Sequence, residues 1–505
     1  MEKRKTAPNL LLIMTDEMRG DCMGIAGHPD VKTPYLDSLA SNGIYYPNAY
    51  TACPSCIPAR AELLTGLSQR HTGRVGYEDG IEWNYERTLP GELTNAGYQT
   101  QCVGKMHVHP LRSLMGFQNV ILHDGTLQYY RGTDIPYSEN QMIADDYFYW
   151  LKNKKGISAD VTDTGLQCNS WVTRPWIYDE MSHPTNWVVT QSIDFLRRRD
   201  SRKPFFLMSS FVRPHAPYDA PECYFNMYRE KKVRKPVYGD WNNLHYLKEN
   251  GRVYDSFSGP LDEELIKEQQ IGYYSCITHI DHQIGRLLQA LEAQNVLENT
   301  VIIFTSDHGE MLGDHYMSQK NLFFEGSAHV PFIIVPPAGR GIVHNNRIDR
   351  VITLADVFPT VLAMAGLPSP EEKRGENLLN WIGGKRQDER IFYGDSLHTN
   401  FCVMENRKKL IYTRIGSSLL LFDLETDPME RHNLADDPEY AKCRERLWTL
   451  LISHVKKTAP QVLRPDSGTD TSDAFISIPA PRFPGDMPGR WLGFHYHDYT
   501  VDTFH

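Results

Sequence analysis

The chain has 505 residues, enough for one large α/β domain with a sizeable core and a smaller domain beside it. Its formal net charge of -10 argues against a broad face for nucleic-acid phosphates, while leaving room for a local basic pocket around a small anion. The nine cysteines are scattered and odd in number, which argues against a disulfide framework and for a reducing compartment.

Basic residues precede the apolar run Leu10–Met14. That run is shorter than the roughly 7–15 apolar residues of a secretory leader and runs into Asp16 and Glu17, so it reads as a buried parallel strand. Thr33–Asn42 reads as a helix, Thr100–Val103 and Pro204–Phe211 as strands, and Glu268–Ala293 as a long amphipathic helix. Val301–Thr305 and Pro331–Val335 are predicted strands and Val351–Ala365 a predicted helix. No stretch approaches the ~20 apolar residues of a membrane span, so no membrane partner and a cytoplasmic location are expected.

Strands alternating with helices predict an α/β fold with a large mixed, mainly parallel sheet sandwiched by helices. Residues 137–190 and 222–262, rich in Tyr, Trp and Asn with weak periodicity, read as insertions able to wall a pocket. Beyond Pro368–Gly375 the pattern changes. Arg390–Tyr393, Phe401–Met404, Lys409–Arg414 and Leu419–Asp423 read as short antiparallel strands closed by a helix over Glu439–Lys456. The predicted units are therefore a catalytic α/β domain over 1–370, a smaller C-terminal antiparallel-sheet subdomain over 371–463, and an aromatic-rich tail over 464–505. Trp491, Phe494, Tyr496 and Tyr499 are expected to pack on the body, line the pocket or form a homo-oligomer interface.

In open α/β sheets functional groups gather outside the carboxyl ends of strands. Asp16 follows the run LLLIMT and Asp307 follows VIIFTS, so two strand ends can deliver carboxylates to one crevice. The most informative segment is CIPARAELLTG, Cys56–Gly66. Pro58 suits the first turn of a helix, placing Cys56 at an N-terminus that favours an anion, with Arg60 one turn on.

Cys-x-Pro-Ala-Arg followed by Leu-Leu-Thr-Gly resembles the signature of the type I sulfatases, part of the alkaline-phosphatase-like superfamily. In that family the cysteine is oxidised to formylglycine by a dedicated maturation enzyme, and the resemblance implies the same for Cys56. PNLLLIMTDEM resembles the family's first strand, whose end carries two metal-binding aspartates in most members; here the pair is Asp16 and Glu17. SDHGEMLGDH supplies Asp307 and His308 as the second metal pair, GKMH supplies Lys105 and His107, RPHAPY supplies His215, and Lys320 falls at the sulfate-binding lysine. The segment LFDLETDPMERHNLA, 421–435, resembles one that recurs in the family's C-terminal subdomain.

The resemblance implies hydrolysis of sulfate monoesters, carbohydrate or aryl, with one divalent cation: calcium first, with manganese, magnesium or zinc as alternatives. The cation would sit on Asp16, Glu17, Asp307, His308 and the residue at 56. Lys105, Lys320 and Arg60 would face the sulfate, His215 would protonate the leaving oxygen, and His107 would act as the base that frees sulfate. The alternative within the superfamily is a phosphonate monoester or phosphodiester hydrolase, which generally lacks the Lys-x-His of GKMH. Outside it, the CPSC of residues 53–56 allows a thiol redox protein, and a non-catalytic binding relic is the remaining reading.

Overall fold

The structure, a computed structural model, describes residues 7–125, 142–166, 168–170, 172–242, 262–339, 346–370, 375–382, 390–465 and 474–477. In chain order its strands are β1 (Asn9–Asp16), β2 (Ile44–Tyr45), β3 (Ala49–Tyr50), β4 (Gln99–Gly104), β5 (Asn119–Leu122), β6 (Phe205–Pro214), β7 (Thr300–Ser306), β8 (His329–Val330), β9 (Phe332–Val335), β10 (Asn346–Arg347), β11 (Ile352–Thr353), β12 (Phe392–Ser396), β13 (Asn400–Glu405), β14 (Lys408–Thr413) and β15 (Ser418–Asp423).

The main sheet has eight strands in the order β10-β2-β9-β7-β1-β6-β4-β5. All its pairings are parallel except those of β9, which runs against both β2 and β7. Successive residues of the central strand enter opposite cores: Leu11 and Ile13 join one cluster, Leu10, Leu12 and Met14 the other. Both faces are covered, which is why β1 and the first half of β6 read as continuous apolar runs rather than alternating ones. The helix Pro184–Arg198 and the long helix Glu263–Ala293 cover one face; the helices Cys56–Thr65, Leu89–Asn95 and Val357–Met364 cover the other.

Register aligns the strand ends. Thr15 of β1 pairs with Ser306 of β7, so Asp16 and Asp307 leave their strands side by side. On the other flank β1 pairs with β6 until a register shift between Met14 and Asp16, and Asp16 then opposes Pro214, next to His215. Such irregularities re-aim side chains at sheet rims. Gly104 of β4 opposes Ser210, which places Lys105 on the same rim.

Strands β12–β15 form a separate antiparallel meander. Phe401 and Val403 face the helix Ala441–Thr458, while Cys402 and Met404 face Phe323 and Phe324 of the main body. The buried Lys409 Nζ joins the two units, lying 2.6 Å from both Glu325 and Glu430. At the start of the tail Phe475 bridges to Leu463 and packs on Tyr412 and Trp448; the aromatic positions Trp491, Phe494, Tyr496 and Tyr499 lie outside the described residues.

One expectation needs correction, and other helix starts have partners the sequence did not specify. Val351–Ala365 is not one helix: Ile352–Thr353 is a strand, and a reciprocal Thr353–Asp356 capping box starts helical structure only at Leu354. Among the described residues of the predicted insertion 137–190, Asp145 caps a helix over Asp146–Lys155 and His183 caps the helix Pro184–Arg198. The helix Pro34–Asn42 lacks a cap from Thr33; Asp281 of the long helix supplies one, accepting from Tyr35 N at 3.1 Å and Leu36 N at 2.8 Å.

Candidate active site

The helix Cys56–Thr65 has all ten residues buried, Arg60 and Glu62 included. It stops at Gly66, whose φ of 68° is left-handed and whose Cβ, if present, would lie 2.6 Å from Phe358. Ser55 enters in extended conformation, so Cys56 opens the helix at the carboxyl rim of the sheet.

Cys56 Sγ lies 3.2 Å from His308 Nε2, 3.7 Å from Asp16 Oδ1 and 3.9 Å from Lys105 Nζ. Asp16, Cys56, Asp307 and His308, all buried, each present one ligand atom within 4.8 Å of the others. His308 Nδ1 is committed to the carbonyl of Gly309 at 2.9 Å, which leaves the Nε2 lone pair facing the carboxylates, the tautomer a metal ligand needs. Asp307 Oδ1 accepts from the backbone of Glu17 and His308, each at 3.0 Å, and its Oδ2 accepts from Arg60 Nε at 2.9 Å.

Positive charge surrounds this quartet. Lys105 Nζ donates to Asp16 Oδ2. Arg60 Nη1 donates to the carbonyl of Lys105 at 2.8 Å and to Ser210 Oγ at 3.0 Å, while Nη2 stands 3.9 Å from Asp16. Burial works against the charge on Asp16, but the neighbouring cations, Lys105 first and then Arg60, outweigh it and hold the carboxyl well below its usual range. Burial equally opposes the charge of Lys105, and Asp16 reverses the balance to keep the ammonium protonated.

Glu17 departs from the sequence expectation. The structure does not bring its carboxylate into the quartet; the residue has φ of 72° and its side chain turns to Lys320, at 3.2 Å, and His215, at 3.5 Å. Lys320 Nζ also donates to His215 Nε2 at 2.8 Å, and His215 Nδ1 donates to the carbonyl of Ala216 at 2.7 Å. Burial and the neighbouring Lys320 push His215 well below the usual imidazole range, so the ring is neutral.

His107 stands apart from these contacts. Its ring faces Tyr77, at 5.3 Å between centroids, and Asp79, at 3.8 Å from Nε2. Cys53 Sγ turns away to the carbonyl of Val75 at 3.2 Å, whereas Cys56 faces the carboxylates, so the CPSC segment does not present two thiols to one place.

Four residues that shape the rim were not anticipated. Ser210 holds Arg60, and Asp124 accepts from the backbone of Met106 and His107 at 2.9 and 3.0 Å. Tyr273 of the long helix clamps the turn at Glu17 between its carbonyl, 2.6 Å away, and Arg19 N, at 2.9 Å. Ser306 Oγ accepts from Met18 N at 2.9 Å and donates to the carbonyl of His308 at 3.0 Å. Asp124 and Ser306 lie at or just beyond strand ends, where the strand-end rule would have found them; Ser210, inside β6 opposite the end of β4, and Tyr273 carry no local signal.

The chain matches the family model described as Sulfatase over residues 8–367 and the one described as N-sulphoglucosamine sulphohydrolase, C-terminal, over residues 313–457. It is 46% identical to an arylsulfatase of Clostridium perfringens over 89% of this chain and 94% of that protein. It is 30% identical to a choline-sulfatase of Rhizobium meliloti, covering 85% and 83% of the two chains. Among solved structures it is similar to a phosphonate monoester hydrolase of Agrobacterium radiobacter, with a TM-score of 0.74, 25% identity, and 93% and 99% of the chains covered. The higher identity and the family models favour sulfate over phosphonate esters, and the chain belongs to the sulfatase family of the alkaline-phosphatase-like superfamily, a sulfuric ester hydrolase.

Proposed function

We propose that the enzyme cleaves small carbohydrate or aryl sulfates with Cys56 converted to formylglycine and one divalent cation held beside it. The observation that carries this reading is the place of Cys56: a buried helix N-terminus within reach of Asp16, His308 and Lys105. Two buried carboxylates and an imidazole whose Nδ1 is spent on the Gly309 carbonyl, leaving Nε2 toward the carboxylates, make a donor set that fits a divalent ion. Calcium suits the predominance of oxygen donors, with manganese, magnesium or zinc as the alternatives that His308 admits. Such a cation supplies charge neutralisation and polarisation of the ester oxygen when bound. Formylglycine supplies a hydrated aldehyde, with one hydroxyl to attack sulfur and a second that allows sulfate to leave by elimination.

The chain's own residues do the rest. Lys105 and Arg60 hold fixed positive charge where the sulfate oxygens gather, and because they are already desolvated they need no reorganisation during reaction. Lys320 and His215 form the proton-bearing pair for the leaving oxygen, Lys320 being the member that carries the proton at rest. Glu17 orients that pair. His107 takes the proton in the step that frees sulfate. In this reading residues 1–370 carry the chemistry, 371–463 support it, and a formylglycine-generating enzyme is the required partner.

Mass spectrometry of the peptide containing residue 56, from protein made with and without maturation machinery, tests the reading. Expected are an aldehyde at 56, aryl sulfate turnover in proportion to it, and no turnover in Cys56→Ala. Full activity with an unmodified thiol overturns it. A panel of regiodefined sulfated sugars beside aryl sulfates then fixes the substrate class, and faster cleavage of an aryl phosphodiester would reassign the main activity.

A further inference from the structure

His107 is 1% exposed, yet neither ring nitrogen has a hydrogen-bond partner among the described residues. A buried imidazole in that condition awaits a partner that binding or reaction brings. Its backbone is fixed: the N–H donates to Asp124, and φ is 57°. The ring faces a loop that is itself held firmly. Arg74 stacks on Trp83 at 5.0 Å and donates to Tyr85 Oη at 2.8 Å, and Trp83 N donates to the carbonyl of His109 at 2.8 Å. Loop and histidine are thus tied into one body. Within it Asp79 is oriented from two sides: Gly80 N donates to Oδ1 at 3.0 Å and Tyr77 Oη to Oδ2 at 3.3 Å. Oδ2 is also the oxygen 3.8 Å from His107 Nε2, about one ångström beyond a hydrogen bond.

We propose that Asp79 is the positioning residue for His107: its Oδ2 receives the Nε2 proton, which leaves the Nδ1 lone pair as the ring's proton acceptor. The proposal rests on the reading of His107 as the base that frees sulfate. Among the described residues, the charged and titratable groups near the ring include Asp79 and Tyr77 on the loop and Asp124 beneath the backbone, with Lys105 two residues earlier in the chain. Of these, Asp79 is the one that presents an acceptor to a ring nitrogen within ion-pair distance.

The orientation of Asp79 makes Asp79→Asn a sharp test. Gly80 N needs an acceptor at the Oδ1 position, so the amide oxygen of the substituted side chain stays there and its NH2 group faces His107. That NH2 can only donate to Nε2, which forces the proton onto Nδ1, the wrong nitrogen for a base. Nitrogen-15 NMR of histidine-labelled, unmatured protein, assigned with His107→Gln, reads the tautomer without any turnover. Expected are an Nε2–H ring in the wild type and an Nδ1–H ring in Asp79→Asn. In the matured holoenzyme kcat should fall at least about 100-fold with KM unchanged, since a base in the wrong tautomer loses up to roughly 10⁴ in rate. A wild-type ring protonated at Nδ1 overturns the proposal even if the variant fails to fold, as does an identical tautomer in both proteins. A raised KM at constant kcat overturns it too, making Asp79 a substrate contact. His107→Ala separates the two readings: full kcat in that variant sinks His107 as the base, while the NMR result still decides what Asp79 does to the ring.

Discussion

Lys320 Nζ donates to His215 Nε2 at 2.8 Å, and the histidine's other nitrogen is spent on the carbonyl of Ala216. The two side chains therefore come from segments 105 residues apart yet share one hydrogen bond, and the proton in it belongs to the lysine. An imidazole expected from sequence to be the acid is at rest an acceptor.

Lys320→Met should consequently cost kcat as much as a change at His215. Losing one preorganised donor to developing negative charge is typically worth about 10²–10³ in rate. Steady-state kinetics on an aryl sulfate, beside thermal melting to confirm folding, checks this. A loss below tenfold would leave His215 as the acid acting alone.

Asp307→Ala should abolish stoichiometric cation uptake and also weaken the fold. Arg60 is fully buried and donates to Asp307 through Nε, so the variant strands a guanidinium, a change worth about 3–5 kcal/mol. Elemental analysis and urea unfolding read the two effects separately. One cation per chain in the variant would show that the donor set is wrongly assigned.

Lys409→Met tests the joint between the meander and the main body. Glu325 and Glu430 would lose the cation that each holds at 2.6 Å, leaving two carboxylates facing one another in a buried place. The expected loss is about 3–5 kcal/mol in chemical denaturation, and the double variant with Glu430→Gln should recover part of it.

His28 should make the fold acid-labile. Its Nδ1 accepts from Asp30 N at 3.1 Å and Val31 N at 3.2 Å, a pattern open only to the neutral ring, and burial pushes it down to about 4. Between about pH 6.5 and 4 the unfolded chain takes up a proton that the folded chain refuses, so stability held above that window is lost as pH falls through it. His28→Asn keeps an acceptor without titrating. The loss of unfolding free energy between pH 7 and 4.5 should shrink by about 2–3 kcal/mol in that variant.

Much of the fold was legible because strands β1, β6 and β7 are buried on both faces and so spell themselves as apolar runs ending in Asp16, in Pro214 before His215, and before Asp307. The meander was legible on the same ground, since its alternate residues also serve two different cores and its strands again read as short apolar runs. What could not be read was direction. Glu17 follows Asp16 directly, and only a left-handed backbone, clamped by Tyr273 from 256 residues away, sends its carboxylate to Lys320. The same holds for the helix Asp146–Lys155, whose lysine-rich sequence has weak periodicity and which is fixed by its Asp145 cap and the burial of Tyr147, Phe148 and Leu151.

The burial of the helix Cys56–Thr65 also sets a clock. His308, which comes within 3.2 Å of the cysteine, is synthesised 252 residues after it. At ribosomal speeds of about 5–20 residues per second, the thiol waits roughly 13–50 s before that neighbour exists. An enzyme that modifies Cys56 has this interval in which to reach an uncovered segment, and almost none after the sheet closes. On the proposed reading, in which activity requires Cys56 to be converted, the fraction of active molecules is decided by a race between modification and folding, so slower translation of the codons up to His308, with an unchanged protein sequence, would raise it.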